Sequence, residues 1–176
     1  MVMESAYFAT GCFWGAERRF WNLPGVIKTS VGYMGGHKEN PTYEEVCGKD
    51  TNHAETVEVI FDPQVISYQR LLEEFFTMHD PTSLNRQGGD IGTQYRSAIF
   101  YTTAEQEALA FNAARIYGKT LAKEGIGPIV TQIEDAKPHR YWLAEEYHQK
   151  YLQKNPNGYD CHSSTGVAYP KIGRAH

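Results

Sequence analysis

The chain has 176 residues, of which 41% are hydrophobic and 22% charged, with a formal net charge of −4. That length suits one domain, 1–176, and a domain of this size buries about 70% of its unfolded surface without needing a disulfide or metal staple. No long run of Lys and Arg marks a nucleic-acid or anionic-membrane surface. The longest nearly apolar stretch, 6–14, falls far short of the roughly 20 residues that span a bilayer, and the only charged residue before it is Glu4. We expect a soluble, cytoplasmic protein with its N-terminus intact.

Ser5 to Thr10 reads as a strand that turns at Gly11, and Phe13 to Trp21 as a helix stopped by Pro24-Gly25. Val26 to Tyr33 is a β-branched run ending at Gly35-Gly36, followed by a structured segment at Tyr43 to Cys47. Thr56 to Phe61 is a further strand, closed by Asp62-Pro63. Tyr68, Leu71, Leu72, Phe75 and Phe76 share one helical face, so the spacing predicts an amphipathic helix from Ser67 to Met78. After a Gly-rich loop come a strand at Ser97 to Tyr101 and a helix opening at Thr103 with capping-box spacing to Gln106 and running to about Lys123. Ile129 to Ile133 predicts a strand and Leu143 to Lys154 a last helix; the tail, 156–176, has no period. Strands alternating with helices give an α/β or α+β layered sheet, and periodicity alone does not choose between them.

Three cysteines, Cys12, Cys47 and Cys161, make an odd set unlike the dense even frameworks of secreted domains, so reduced thiols are expected. Cys12 stands between a strand end and a helix N-terminus, where N–H groups and the helix dipole pull a thiol's pKa down. A buried, inert thiol is the alternative at that position. Phe13 and Trp14 beside it suit either a core or an apolar wall for a small uncharged group.

Alternation along the strand after His53 puts Glu55, Val57, Val59 and Phe61 on one face. A carboxyl turned toward a core has its charged form disfavoured and becomes a proton donor near neutral pH; a strand-end position reaching solvent is the competing reading. Glu58 falls on the other face. The loop 88–97 carries Asp90, Gln94 and Tyr95 but lacks the Gly-Lys-Ser/Thr ending of a phosphate loop. The seven histidines and three cysteines contain no close zinc-type pair, so no metal is expected. A cysteine hydrolase and an aromatic-rich binding module remain as alternative functions.

The motifs then carry a resemblance. Gly11-Cys12-Phe13-Trp14-Gly15, Gly-Tyr-x-Gly-Gly at 32–36, Asn-Pro-Thr-Tyr at 40–43 and His-Ala-Glu at 53–55 are joined by Gly-Asp-x-Gly-Thr-Gln-Tyr-Arg-Ser at 89–97. Ala-Glu-Glu-Tyr-His-Gln at 144–149 and Asn-Pro-Asn-Gly-Tyr at 155–159 extend the match along nearly the whole chain. In this the chain resembles the peptide methionine sulfoxide reductases of the A type. The resemblance implies an α+β fold, a two-layer α/β sandwich with a ferredoxin-like mixed sheet, flanking helices and a long irregular C-terminal tail.

It also implies Cys12 as nucleophile, Glu55 as proton donor, Phe13 and Trp14 as the seat of the substrate methyl group, and Tyr43, Asp90 and Tyr95 around the sulfoxide oxygen. The S epimer of methionine sulfoxide, free or in proteins, is the implied substrate. Cys12 would become a sulfenic acid, resolved by a thiol in the tail; Cys161 is expected in that role, with Cys47 the rival and more readily a packed thiol. No bound cofactor is expected, only an external dithiol such as thioredoxin, and no nucleic acid or membrane partner.

Overall fold

The computed structural model describes residues 2–48, 50–160 and 163–171. Its centre is β1 (Glu4–Thr10), which pairs antiparallel with β3 (Ala54–Phe61) on one side and with β6 (Ser97–Tyr101) on the other. β2 (Val26–Met34) adds antiparallel to β3, with Tyr33 opposite Glu55. β7 (Gln132–Asp135) adds parallel to β6 at one edge, and β8 (Trp142–Leu143) pairs with β2 at the other. The order β7-β6-β1-β3-β2-β8 makes a mixed sheet. Within it, β6-β1-β3-β2 is the split βαβ arrangement expected of a ferredoxin-like core. Its two crossovers are α1 (Phe13–Trp21), between β1 and β2, and α3 (Tyr68–Met78), between β3 and β6.

Alternation builds the layers. Phe8 of β1, Val57, Val59 and Phe61 of β3, and Ile99 of β6 are buried with Phe20 of α1 and Leu71, Leu72, Phe75 and Phe76 of α3. Phe8 stands at the middle of this layer, its ring 5.1 Å from Phe20 and 5.4 Å from Phe75. α4 (Ala104–Lys123) closes the same layer through Ala110, Ala113, Tyr117 and Leu121. The opposite residues, Ala9, Ala54, Ala98 and Phe100, form a smaller cluster with Met34 and Ala136. The helix starts follow the expected caps: Ser67 Oγ accepts the Arg70 N–H at 3.0 Å, and Thr103 Oγ1 accepts the Gln106 N–H at 3.0 Å.

Two expected elements are corrected. The strand at 129–133 begins later, because the Val130 N–H is taken by the Pro81 carbonyl at 2.8 Å before β7 opens at Gln132. The helix expected from Leu143 to Lys154 is instead β8, a 3-10 turn at Glu146–His148, and the short helix α5 (Tyr151–Lys154). Tertiary hydrogen bonds outweigh helix propensity there. The Gln149 amide accepts from the Val31 N–H at 2.9 Å and donates to the Val31 carbonyl at 2.8 Å, and Lys150 takes a left-handed φ of 54°.

Lys150 is held there by Glu17 of α1, whose fully buried carboxylate accepts from Lys150 N, Lys150 Nζ and Thr29 Oγ1, each at 2.8 Å. Glu17→Ala removes the acceptor for three donors at once and is expected to cost about 2–3 kcal/mol, read as a lower denaturant midpoint at unchanged slope. Beyond α5 the described tail residues carry no helix or strand, as expected. They dock on the helical layer, where the Tyr117 hydroxyl donates to the Val167 carbonyl at 2.6 Å.

Candidate active site

β1 ends at Thr10, and the chain turns through Gly11 at φ 108°, a left-handed value that favours glycine. A Cβ at Gly11 would also stand 2.8 Å from Gln87 Cγ. That turn delivers Cys12 to the cap position of α1. Cys12 is 7% exposed. The expected lowering of its pKa is corrected: burial, and then the Glu55 charge, push the thiol up, and the N–H groups of Trp14 and Gly15 pull only partly the other way.

Glu55 lies at the start of β3 on the helix-facing side, as alternation predicts, and is 2% exposed. Its Oε1 accepts the Phe13 N–H at 3.1 Å, which ties the carboxyl to the residue after Cys12. Its Oε2 is buried and has no hydrogen-bond partner among the described residues. Burial raises the Glu55 pKa to about 8; the Phe13 N–H opposes this and the nearby Asp90 charge adds to it. A neutral carboxyl with one idle oxygen thus stands beside a buried thiol near pH 7.

Asp90 and Tyr95 arrive together. Asp90 opens β5 (Asp90–Ile91), the second strand of a small hairpin with β4 (Arg86–Gln87), and Tyr95 ends the 3-10 turn that follows. Asp90 acts electrostatically on both Cys12 and Glu55, and its Oδ2 is likewise buried and unpartnered among the described residues. Tyr43 opens α2 (Tyr43–Gly48), where the Glu145 carboxylate accepts its N–H at 2.9 Å. Burial and neighbouring acids raise the pKa of both tyrosines, so their hydroxyls keep their protons.

Cys47 departs from the packed thiol expected of it. It is exposed at the end of α2, four residues from Tyr43, and its thiol lies in hydrogen-bonding reach of the Tyr43 and Tyr95 hydroxyls. α2 is short, and of its residues Val46 is the one fully buried. Cys161 lies outside the described residues.

Phe13 is buried and Trp14 half-buried, and the residues that hold them were not singled out by periodicity. His148, fully buried, accepts the Trp14 indole N–H on Nδ1 at 3.0 Å. Its ring centre lies 5.1 Å from that of Phe13 and 4.5 Å from that of Tyr43. Tyr151 stacks on Trp14 at 3.8 Å. The signal was present in the 144–149 motif, but reading it as helix gave no reason to turn His148 inward. Burial lowers the His148 pKa, so the imidazole is neutral, and the Trp14 donor assigns its proton to Nε2. Among the described residues, no group of three or more His, Cys, Asp or Glu stands together as metal ligands, and no helix is long and apolar enough to cross a membrane.

The family described as peptide methionine sulfoxide reductase matches residues 4–175. The chain belongs to that family. As a peptide methionine sulfoxide reductase, it catalyses the thiol-dependent reduction of methionine sulfoxide to methionine. It is 55% identical over 168 residues to peptide methionine sulfoxide reductase MsrA of Azotobacter vinelandii, covering 96% of this chain and 77% of the relative. The mitochondrial peptide methionine sulfoxide reductase of Homo sapiens is 51% identical, with 95% and 70% of the two chains covered. Among solved structures, methionine sulfoxide reductase A of Corynebacterium diphtheriae superposes with a TM-score of 0.86 at 45% identity, over 96% of this chain and 84% of that one. Mxr1 of Saccharomyces cerevisiae in complex with Trx2 does so with a TM-score of 0.58 at 26% identity, over 92% and 89%. The Azotobacter vinelandii, Homo sapiens and Corynebacterium diphtheriae relatives are methionine sulfoxide reductases, and neither the hydrolase nor the binding-module alternative describes them.

Proposed function

We propose that Cys12 attacks the sulfur of methionine sulfoxide while Glu55 protonates its oxygen. A sulfoxide sulfur is a poor electrophile until its oxygen carries a proton or a strong hydrogen bond. The observation that carries this reading is the Glu55 carboxyl: buried, tied by one oxygen to the Phe13 N–H, idle at the other, with a pKa raised to about 8. The substrate methyl group sits against Phe13 and Trp14. Tyr43 and Tyr95 donate to the sulfoxide oxygen, and Asp90 orients that polar side of the site.

The first step sums thiol and sulfoxide to a sulfenic acid and a thioether: the attack forms a bond from the Cys12 sulfur to the substrate sulfur, and that bond and the substrate S–O bond then break as the hydroxyl oxygen passes to the Cys12 sulfur and the thioether leaves. Glu55 gives its proton to the oxygen and recovers one from the Cys12 thiol, so the acid is restored. Before substrate arrives, Cys12 keeps its proton, which protects a buried thiol from adventitious oxidation.

In the second step a thiol attacks the Cys12 sulfenic acid, forming a disulfide and releasing water; Cys161 supplies that thiol. The disulfide is then reduced by thioredoxin, a reading supported by the relative's complex with Trx2. The full chain acts as one catalytic unit, selects the S epimer, repairs free or protein-bound methionine in the cytoplasm, and needs no bound cofactor.

Peptide mapping after substrate is added without reductant is expected to find a Cys12–Cys161 disulfide with Cys47 still reduced. Cys161→Ser with thioredoxin is expected to stall after about one turnover and to run freely with dithiothreitol. Sustained thioredoxin-driven turnover in that variant would move the resolving role elsewhere.

A further inference from the structure

A groove on the outer flank of α4 takes no part in the chemistry above. Its floor is one stripe of the helix, Phe111, Ala114, Gly118 and Ala122, spaced by three or four residues and so on a single face. That face adjoins the one that carries Ala110, Ala113, Tyr117 and Leu121 into the core. The facing wall is the segment that follows α4, through Ile126, Ile129 and Ile133. Three anchors fix this wall: the Ile126 N–H donates to the Leu121 carbonyl at 3.0 Å, the Val130 N–H to the Pro81 carbonyl at 2.8 Å, and Ile133 lies in β7 opposite Ile99. The space between floor and wall is about 700 Å3, within the range of small-molecule sites.

Gly118 keeps the floor open. It is absent from the glycines of positive φ, and a Cβ there would meet nothing closer than Ile129 Cδ1 at 3.7 Å, an ordinary contact. Neither backbone nor packing calls for glycine inside a 20-residue helix, where it is weaker than alanine. The lip is amphipathic. Phe111 is 52% exposed, and Arg115 and Lys119, one helical turn apart, line the same groove. Arg115 Nη2 donates to the neutral Asn112 Oδ1 at 2.6 Å, and among the described residues neither cation has a carboxylate within ion-pairing distance. In a chain of net charge −4, two uncompensated cations beside an apolar trough suit an amphiphile with an anionic head.

We propose that this groove binds a free fatty-acid carboxylate, with the acyl chain along the Gly118 floor against Ile126 and Ile129 and the head between Arg115 and Lys119. A neutral chain of the same length would leave both cations without a partner, and a cationic one would be repelled by them.

The test titrates the full chain with monomeric decanoate, decanol or decyltrimethylammonium and follows amide shifts by NMR. Decanoate is expected to bind saturably, with shifts centred on Gly118 and Ile129, and the other two at least about tenfold more weakly. Arg115→Gln combined with Lys119→Gln is expected to lower decanoate affinity about tenfold, to the level of decanol. Gly118→Leu fills the floor and is expected to abolish the shifts, while methionine sulfoxide reduction with dithiothreitol continues at the wild-type rate and shows that the variant is folded. Gly118→Ala, which suits a helix better, is expected to weaken binding several-fold and to raise the denaturant midpoint, and it decides the matter if the leucine variant does not fold. No saturable decanoate binding at about 1 mM would overturn the proposal, as would shifts that survive filling at Gly118. Decanol bound as tightly as decanoate would overturn the anion site. Capture by phosphatidylglycerol vesicles without a response to monomeric decanoate would overturn it in favour of a membrane surface.

Discussion

Cys12→Ser is expected to lose methionine formation by at least about 10⁴-fold, as removal of a nucleophile does when the remaining groups act only through it. Serine keeps the size of the side chain at a position 7% exposed, so the fold should survive, and thermal unfolding of the variant checks this. A serine hydroxyl is a far weaker nucleophile than a thiol and cannot be oxidised to a sulfenic acid, so even the first turnover is lost with dithiothreitol present. The measurement is methionine released from a methionine sulfoxide peptide. Turnover near the wild-type rate would remove Cys12 from the chemistry and leave Cys47, whose thiol faces the Tyr43 and Tyr95 hydroxyls, as the nucleophile.

Glu55→Gln is expected to slow the first step by about 10²- to 10⁴-fold, the usual contribution of a positioned general acid. The amide oxygen still accepts the Phe13 N–H, so geometry is kept and only the transferable proton is removed. The proposed mechanism needs the acid protonated, so the wild-type first-step rate is expected to hold below about pH 8 and to fall above it. Glu55→Gln is expected to lack that alkaline fall.

The substitution moves stability the opposite way from rate. The folded carboxyl holds its proton up to about pH 8, whereas the unfolded one releases it near 4.5, so the wild type loses stability as pH rises between those values. Glu55→Gln has no such loss, and above pH 8 it is expected to gain up to about 5 kcal/mol relative to its standing against the wild type at pH 4. That gain in stability, found together with the slower first step expected of Glu55→Gln, would mark an acid kept for function.

Much of this site was legible because it rests on local rules. Gly11 ends a strand and Phe13 begins a helix, which places Cys12 at the junction. Strict alternation from Glu55 to Phe61 turns the carboxyl to the core side. The pairing order β6-β1-β3-β2 was not readable from periodicity, since each strand fits several neighbours; only the family motifs implied it.

Depth was the second thing hidden. The helix N-terminus does pull on Cys12, but burial and Glu55 outweigh it, and neither burial nor a partner at position 55 follows from the residues around position 12. The segment Leu143 to Lys154 reads as a helix stopped by Asn155-Pro156. Glu145 bonded to Tyr33 and Tyr43, Gln149 to Val31, and Lys150 to Glu17 are long-range commitments that override that local reading. They are also what turns His148 under Trp14.

In the proposed mechanism the protonation state of Glu55 decides the chemistry, and difference infrared spectroscopy of the wild type against Glu55→Gln reads it directly. The expected result is a protonated carboxyl band at neutral pH, absent from the variant, that bleaches with a midpoint near pH 8. A midpoint near the ordinary value of 4.5 would mean a carboxylate at working pH, unable to protonate a sulfoxide oxygen, and would contradict the mechanism.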